Sequence, residues 1–246
     1  MGKFIKFLLL VILLAIIGGV GYLAYLGFVP GLSDWIGANR PKDLGITYTK
    51  ADYDNYVSKS LTKISPLPVT GQDGFQNIIF SGSKDLNQSF TSAQVSARMD
   101  YAPWAYMPVA NTQVRFNADG SVEFSGNLLT SRLDNFMAAI GGVSFAQEEI
   151  NKGLSYVKTN PPVYIKVTPV SIKDNKVNLK FDSISVGKLN MSLSSFDAND
   201  FFSSLTEQVM GRIPGFYARS VTITDGQINF SGTVPETMQV PVAQAR

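Results

Sequence analysis

The sequence predicts an α+β fold, an N-terminal transmembrane helix followed by a curled antiparallel β-sheet wrapped around amphipathic helices. Three observations point there. The chain opens on a long uncharged apolar run. Beyond it, segments alternating apolar and polar residues at period two interleave with segments carrying one apolar stripe at helical spacing. Within one strand the alternation changes parity, which marks a bulge and a bent strand.

Residues 7–33 carry no charged side chain, which exceeds the ~20 apolar residues a helix needs to cross ~30 Å of hydrocarbon. A cleavable signal has a shorter apolar stretch of ~7–15 residues, whereas this run continues through Tyr22, Tyr25 and Phe28. An uncleaved anchor is therefore expected over residues 1–28, with a signal peptide as the alternative. Lys3 and Lys6 precede the run and the first acid is Asp34, so the positive-inside bias puts the N-terminus in the cytoplasm. Pro30, Gly31, Pro41 and Gly45 punctuate a juxtamembrane linker over residues 29–46, with Trp35 at the headgroup level. Residues 47–246 are expected to form a single extracytoplasmic α+β domain at the cell membrane.

The 246 residues contain 21 Lys+Arg and 19 Asp+Glu, so without Lys3 and Lys6 the balance is 19 to 19. A neutral domain lacks the field that gathers phosphate polyanions, and nucleic acid is not an expected partner. There is no Cys and no His. Disulfides, thiolate or imidazole metal sites and Ser/His/Asp or Cys/His nucleophile pairs are thereby excluded. Among the remaining patterns, Ser58-Lys59-Ser60 lacks the i+3 spacing of a Ser/Lys pair, and Asp197-Ala-Asn-Asp200 lacks the glycine of a cation loop. No enzyme activity, cofactor or metal is expected.

Thr49 and Asp52 make a capping box for a helix over residues 50–64, with Tyr53, Val57, Leu61 and Ile64 on one face. Thr91 and Gln94 repeat the box, and Phe90 and Val95 add a hydrophobic staple, for a helix reaching Tyr101. A third helix presents Leu133, Phe136, Met137 and Ile140. Gly141-Gly142 separates it from a fourth, with Ala146, Ile150, Leu154 and Val157, and a fifth over 199–212 carries Phe202, Leu205, Val209 and Ile213. Hairpins are predicted around residues 117–120, 173–176 and 225–226. Asp119-Gly-Ser-Val-Glu-Phe-Ser-Gly126 echoes Asp225-Gly-Gln-Ile-Asn-Phe-Ser-Gly232, as duplication or as shared turn chemistry. Parity changes at Asp182-Ser183 and again before Leu189 and Met191, which predicts two bulges.

Val167-Thr-Pro169, Lys176-Val-Asn-Leu179, Ser185-Val-Gly-Lys-Leu189 and Arg212-Ile-Pro-Gly-Phe216 fall in an order that resembles the YpmS-type single-pass envelope proteins of Gram-positive bacteria. The resemblance covers residues 163–235, about a third of the chain, and departs from the family at Asn190-Met191-Ser192, where a Pro usually follows. More distantly, helices in a curled sheet look like the tubular lipid-binding (TULIP-like) fold, which implies an apolar tunnel for acyl chains. That step is fold analogy.

The expected function is non-catalytic binding or hand-off of a lipid-like apolar ligand drawn from the membrane. Candidate groove residues are Phe136, Met137, Ile140, Ile150, Leu154, Phe202, Leu205 and Val209. Trp35, Trp104, Tyr106 and Met107 are candidates for contact with the membrane or a partner. The alternative is a fully packed structural or assembly partner of another envelope protein.

Overall fold

The structure is a computed structural model and describes residues 2–67, 77–139, 159–191 and 198–242. It is a mixed α+β architecture with few helices, built on a nearly closed, curled antiparallel sheet. Helix α1 (Gly2–Tyr25) opens the chain. Its side chains are described over residues 13–25, where Leu14, Ile16, Ile17 and Tyr22 point to different sides and are all exposed. Among the described residues no helix is long and apolar enough to cross a membrane, so the spanning helix expected over residues 4–28 is not found there.

After α1 the chain folds back through α2 (Leu32–Trp35). Residues 29–46, expected as a linker, are tied to their surroundings. Ser33 Oγ donates to the Ala24 carbonyl at 2.9 Å, Asn127 Nδ2 donates to the Asn39 carbonyl at 2.8 Å, and the Leu44 amide donates to Gln113 Oε1 at 2.7 Å. Ala24, Ala38 and Leu44 are buried.

The Thr49–Asp52 capping box starts α3 (Lys50–Ser60). The helix stops at Ser60 and not at the predicted Ile64, because Leu61 takes a left-handed φ of 58°, which no right-handed helix continues. Ile64 instead lies in β1 (Lys63–Leu67), followed by β2 (Ile79–Ser81) and β3 (Lys84–Thr91). Helix α4 (Ser92–Asp100) carries the second predicted box, with Gln94 N–H donating to Thr91 Oγ1 at 3.2 Å and Thr91 N–H to Gln94 Oε1 at 3.1 Å. The staple residues Phe90 and Val95 join Leu86 and Val234 in a core cluster.

β4 (Val109–Phe116) and β5 (Val122–Leu128) form the first hairpin, with Phe116 opposite Val122, and α5 (Leu133–Ala139) follows. The helix predicted from Ala146 to Val157, and the Gly141-Gly142 break before it, lie outside the described residues. β6 (Pro162–Lys173) and β7 (Lys176–Val186) turn through Asp174 and Asn175, whose φ of 53° and 59° are the two positive values a two-residue hairpin requires. Lys166 faces Ser183 but Val167 faces Phe181, so Asp182 is the extra residue of a bulge where the parity change predicted one. The second parity change is a turn instead: the chain reverses at Gly187-Lys188 into β8 (Leu189–Asn190), with Val186 opposite Leu189.

Helix α6 (Ala198–Gly211) leads past Pro214-Gly215 into β9 (Tyr217–Thr224) and β10 (Gln227–Val234), the third hairpin. β11 (Thr237–Pro241) lies between β1, to which it is parallel, and β2, to which it is antiparallel. The larger sheet runs β3-β10-β9-β6-β5-β4, and β6 also pairs with β7, which pairs with β8. One long strand holds both halves, since residues 162–167 of β6 pair with β5 while Ile172 and Lys173 pair with β9. At the near-closure, the Gly226 amide in the β9–β10 turn donates to the Phe116 carbonyl at the end of β4, 3.0 Å away.

β4 and the first part of β7 each have an edge without a strand neighbour, and a helix covers it with side-chain acceptors. The amides of Phe116, Val114 and Thr112 donate to Ser92 Oγ, Ser96 Oγ and Asp100 Oδ1 of α4 at 3.0, 2.8 and 3.0 Å. Those of Phe181, Leu179 and Val177 donate to Asn199 Oδ1, Ser203 Oγ and Glu207 Oε1 of α6 at 2.9, 3.1 and 2.9 Å. The spacing is the same both times. Four helical residues rise about 6 Å and two strand residues about 6.7 Å, so each fourth helix residue meets each second strand residue.

Ser96 is wholly buried, and Ser96→Ala strands the Val114 amide without its acceptor. The expected loss is about 1–3 kcal/mol of unfolding free energy in urea titration. Glu207 is held below the usual carboxylate value, first by the Val177 amide and then by Lys176, whose Nζ lies 3.0 Å away. A depressed folded value stabilises above the unfolded one and is lost as pH falls through it. Glu207→Gln, which cannot ionise, is therefore expected to flatten the decline of stability with pH below about 4.5, the ordinary value. Parallel urea titrations at pH 3 to 6 measure this.

Candidate functional site

The ladder on β7 uses the polar side of α6. Leu205 and Val209 sit two residues beyond Ser203 and Glu207, about 200° round the helix, and face away from the sheet edge. With Ile213 they line an apolar cleft of about 840 Å³ whose other walls include Phe136 and Met137 of α5, Trp104, and Phe80 of β2. The Trp104 ring lies 5.7 Å from that of Phe136, and its indole Nε1 is buried with no acceptor among the described residues.

A second hollow of about 550 Å³ lies on the concave side of the large sheet. Phe90 of β3, Phe230 of β10, Phe116 of β4 and Phe124 of β5 all line it, so strands from both ends of the sheet face one space. α4 again faces the sheet edge with one side, Ser92, Ser96 and Asp100, and shows the hollow another, Val95, Arg98 and Met99. Phe80 and Ile213 belong to the walls of both spaces, which therefore adjoin with these two side chains between them. Among the described residues Arg98 is the one charged side chain on the inner wall, its guanidinium carbon 6.0 Å from the Tyr56 ring centroid. Burial raises the Tyr56 hydroxyl above the ordinary phenol value, which keeps it protonated and neutral.

The candidate groove residues Phe136, Met137, Leu205 and Val209 thus share one cleft. Phe202 lies elsewhere, tilted against Phe181 of β7 at 4.8 Å between ring centroids. Ile140, Ile150 and Leu154 lie outside the described residues. Of the contact candidates, Trp35 is 83 % exposed, Tyr106 is buried, Met107 is half-buried, and Trp104 is a wall of the cleft. Sequence reasoning missed Phe80, although the apolar run Ile78-Ile79-Phe80 is visible. It also missed the inner wall, which needs the long-range strand pairing.

Two polar clusters hold the structure together. Lys59 Nζ donates to the Ser89 carbonyl at 3.1 Å and to Gln94 Oε1 at 3.2 Å, clamping α3 to α4. Tyr164 donates to Glu123 at 2.5 Å, and Lys42 lies 3.6 Å from the same carboxylate.

The end of α1 rests on the β7–β8 turn, where the Lys188 amide donates to the Leu26 carbonyl at 3.2 Å. Gly187 has a φ of +62°, and a Cβ there would lie 2.0 Å from the Leu26 oxygen. Gly187→Ala is expected to lift α1 from this seat, the left-handed strain alone being about 1–2 kcal/mol. The readout is limited proteolysis, with cleavage within residues 29–46 roughly tenfold faster and the remainder of the domain unaffected.

No protein-family model matches this chain, and neither does any curated protein or solved structure.

Proposed function

We propose that this chain binds a lipid-like apolar ligand in the cleft and inner hollow and presents it at a membrane without catalysing a reaction. Two apolar spaces of ligand size, adjoining at Phe80 and Ile213, carry this reading. Their sizes fall in the usual range for small-molecule sites, about 300–1,000 Å³. Affinity would come from apolar burial at about 25 cal/mol per Å², with Arg98 and the Trp104 indole as polar handles.

The membrane part rests on the sequence and on the base of the molecule. Residues 7–33 are uncharged and favour a tether, and the resemblance to single-pass envelope proteins agrees with it. Trp35 and Ile36 are exposed next to the end of α1, as interfacial anchors would be. Since residues 29–46 are bonded to the domain at Asn39 and Leu44, a tethered domain would work directly at the bilayer and not at the end of a long leash.

The sequence has two tryptophans, so Trp35→Phe leaves Trp104 as the sole indole emitter. In that variant a single-chain lipid brominated along its tail is expected to quench the emission saturably. Val209→Phe, which narrows the cleft, should weaken the quenching about tenfold. Absence of quenching, together with no lipid extractable from the purified full chain, would sink the reading.

A further inference from the structure

The charged residues of this near-neutral chain are not evenly spread. A pocket of about 510 Å³ at the foot of the domain is lined by Arg40, Lys42 and Lys188, with Tyr164, Ser185 and Asn190 among its other walls and no carboxylate on its lining. The three cations come from two separate stretches, the segment after α2 and the β7–β8 turn. Lys42 is partly neutralised by Glu123 at 3.6 Å. Arg40 and Lys188 have no carboxylate within ion-pair distance among the described residues, and Lys188 Nζ instead sits 5.8 Å from the Tyr25 ring centroid.

The position of the pocket is as informative as its charge. The Lys188 amide is bonded to Leu26 at the end of α1, and apolar side chains border the same foot: Leu189 and Met191 on one side, Trp35 and Ile36 on the other, all exposed. A cationic pocket whose lining residues Gly37, Lys188 and Asn190 are chain neighbours of exposed Ile36, Leu189 and Met191, close to the end of an apolar helix, matches the phosphate layer of a bilayer above its acyl region.

We propose that this pocket binds the phosphate of an anionic phospholipid headgroup, with Arg40 and Lys188 as its principal donors. Arg40 offers a planar fork that pairs with two phosphate oxygens, and Lys188 a point charge from the opposite lip. The proposal rests on the membrane reading given above, but not on the cleft, which takes its ligand elsewhere on the domain. A headgroup held here would fix the rotation of the domain on the bilayer, and Leu189 and Met191 would enter the interface beside it.

The test uses the full chain in nanodiscs of phosphatidylcholine containing one-fifth phosphatidylglycerol, with lipids retained after detergent dilution counted by native mass spectrometry. Wild type is expected to retain phosphatidylglycerol preferentially. Neutralising both donors, Arg40→Gln with Lys188→Gln, should weaken that preference about 30-fold, at roughly a factor of five per cation near the surface. The charge-conserving pair Arg40→Lys with Lys188→Arg should keep most of it, which separates headgroup binding from loss of fold. Equal retention by wild type and the neutral pair overturns the site while leaving the tether intact. Displacement of the lipid by millimolar inorganic phosphate would assign the pocket to a free anion and overturn the headgroup. Failure of the chain to enter nanodiscs at all overturns the membrane reading and this site with it.

Discussion

The structure depends on what becomes of backbone N–H groups along sheet edges that no strand covers. A buried amide without an acceptor is costly, and a bare edge also invites pairing with another chain. Here α4 and α6 answer the problem twice in the same way. Each lays a row of short polar side chains at every fourth position against alternate amides of β4 or β7. The match works because the repeats of helix and strand nearly coincide over three contacts. The helices are therefore fixed to the sheet through hydrogen bonds where an apolar face would ordinarily do the packing.

Sheet curvature follows from irregularities that keep this arrangement possible. Asp182 bulges out of β7, a second irregularity falls between Pro169 and Ser171 of β6, and a third lies at Ser231/Gly232 of β10. At Gly232 a Cβ would come within 1.9 Å of the Tyr217 carbonyl, so only glycine permits the close approach. Together they coil the strands until the two ends of the sheet face one another across the inner hollow.

Local chemistry made much of this readable in the sequence, and long-range geometry hid the rest. Both capping boxes, the Asp174-Asn175 turn and the Asp182 bulge each depend on a few adjacent residues, so pattern alone exposes them. Ile64 misled because it continues the stripe of α3, whereas its partner Met238 in β11 lies far along the chain and wins it for a parallel strand. The second parity change read as a bulge for a similar reason: an alternation that slips by one does not distinguish an extra residue from a reversal at Gly187-Lys188. Ser92, Ser96 and Asp100 look like a solvated face in sequence, yet two of them are buried and all three bond the sheet. The cleft was half visible, as the stripe of Leu205 and Val209, but the wall at Phe80 was not.

That inversion of polarity bears directly on function. A helix that packs its apolar stripe on a sheet uses it up in the core, and nothing is left to bind. α6 spends its polar side on β7, so Leu205 and Val209 are turned toward α5 and Trp104, where they meet a cleft and not a strand. Apolar walls that water must wet are unfavourable, and each methylene that replaces that water returns about 0.8 kcal/mol. In the proposed reading an extended hydrocarbon chain would relieve this, since the cleft and the inner hollow are both apolar and adjoin at Phe80 and Ile213. The hydrogen-bond ladders that protect the sheet edge are thus also what leaves this apolar surface uncovered by the sheet, the surface that the proposed ligand would use.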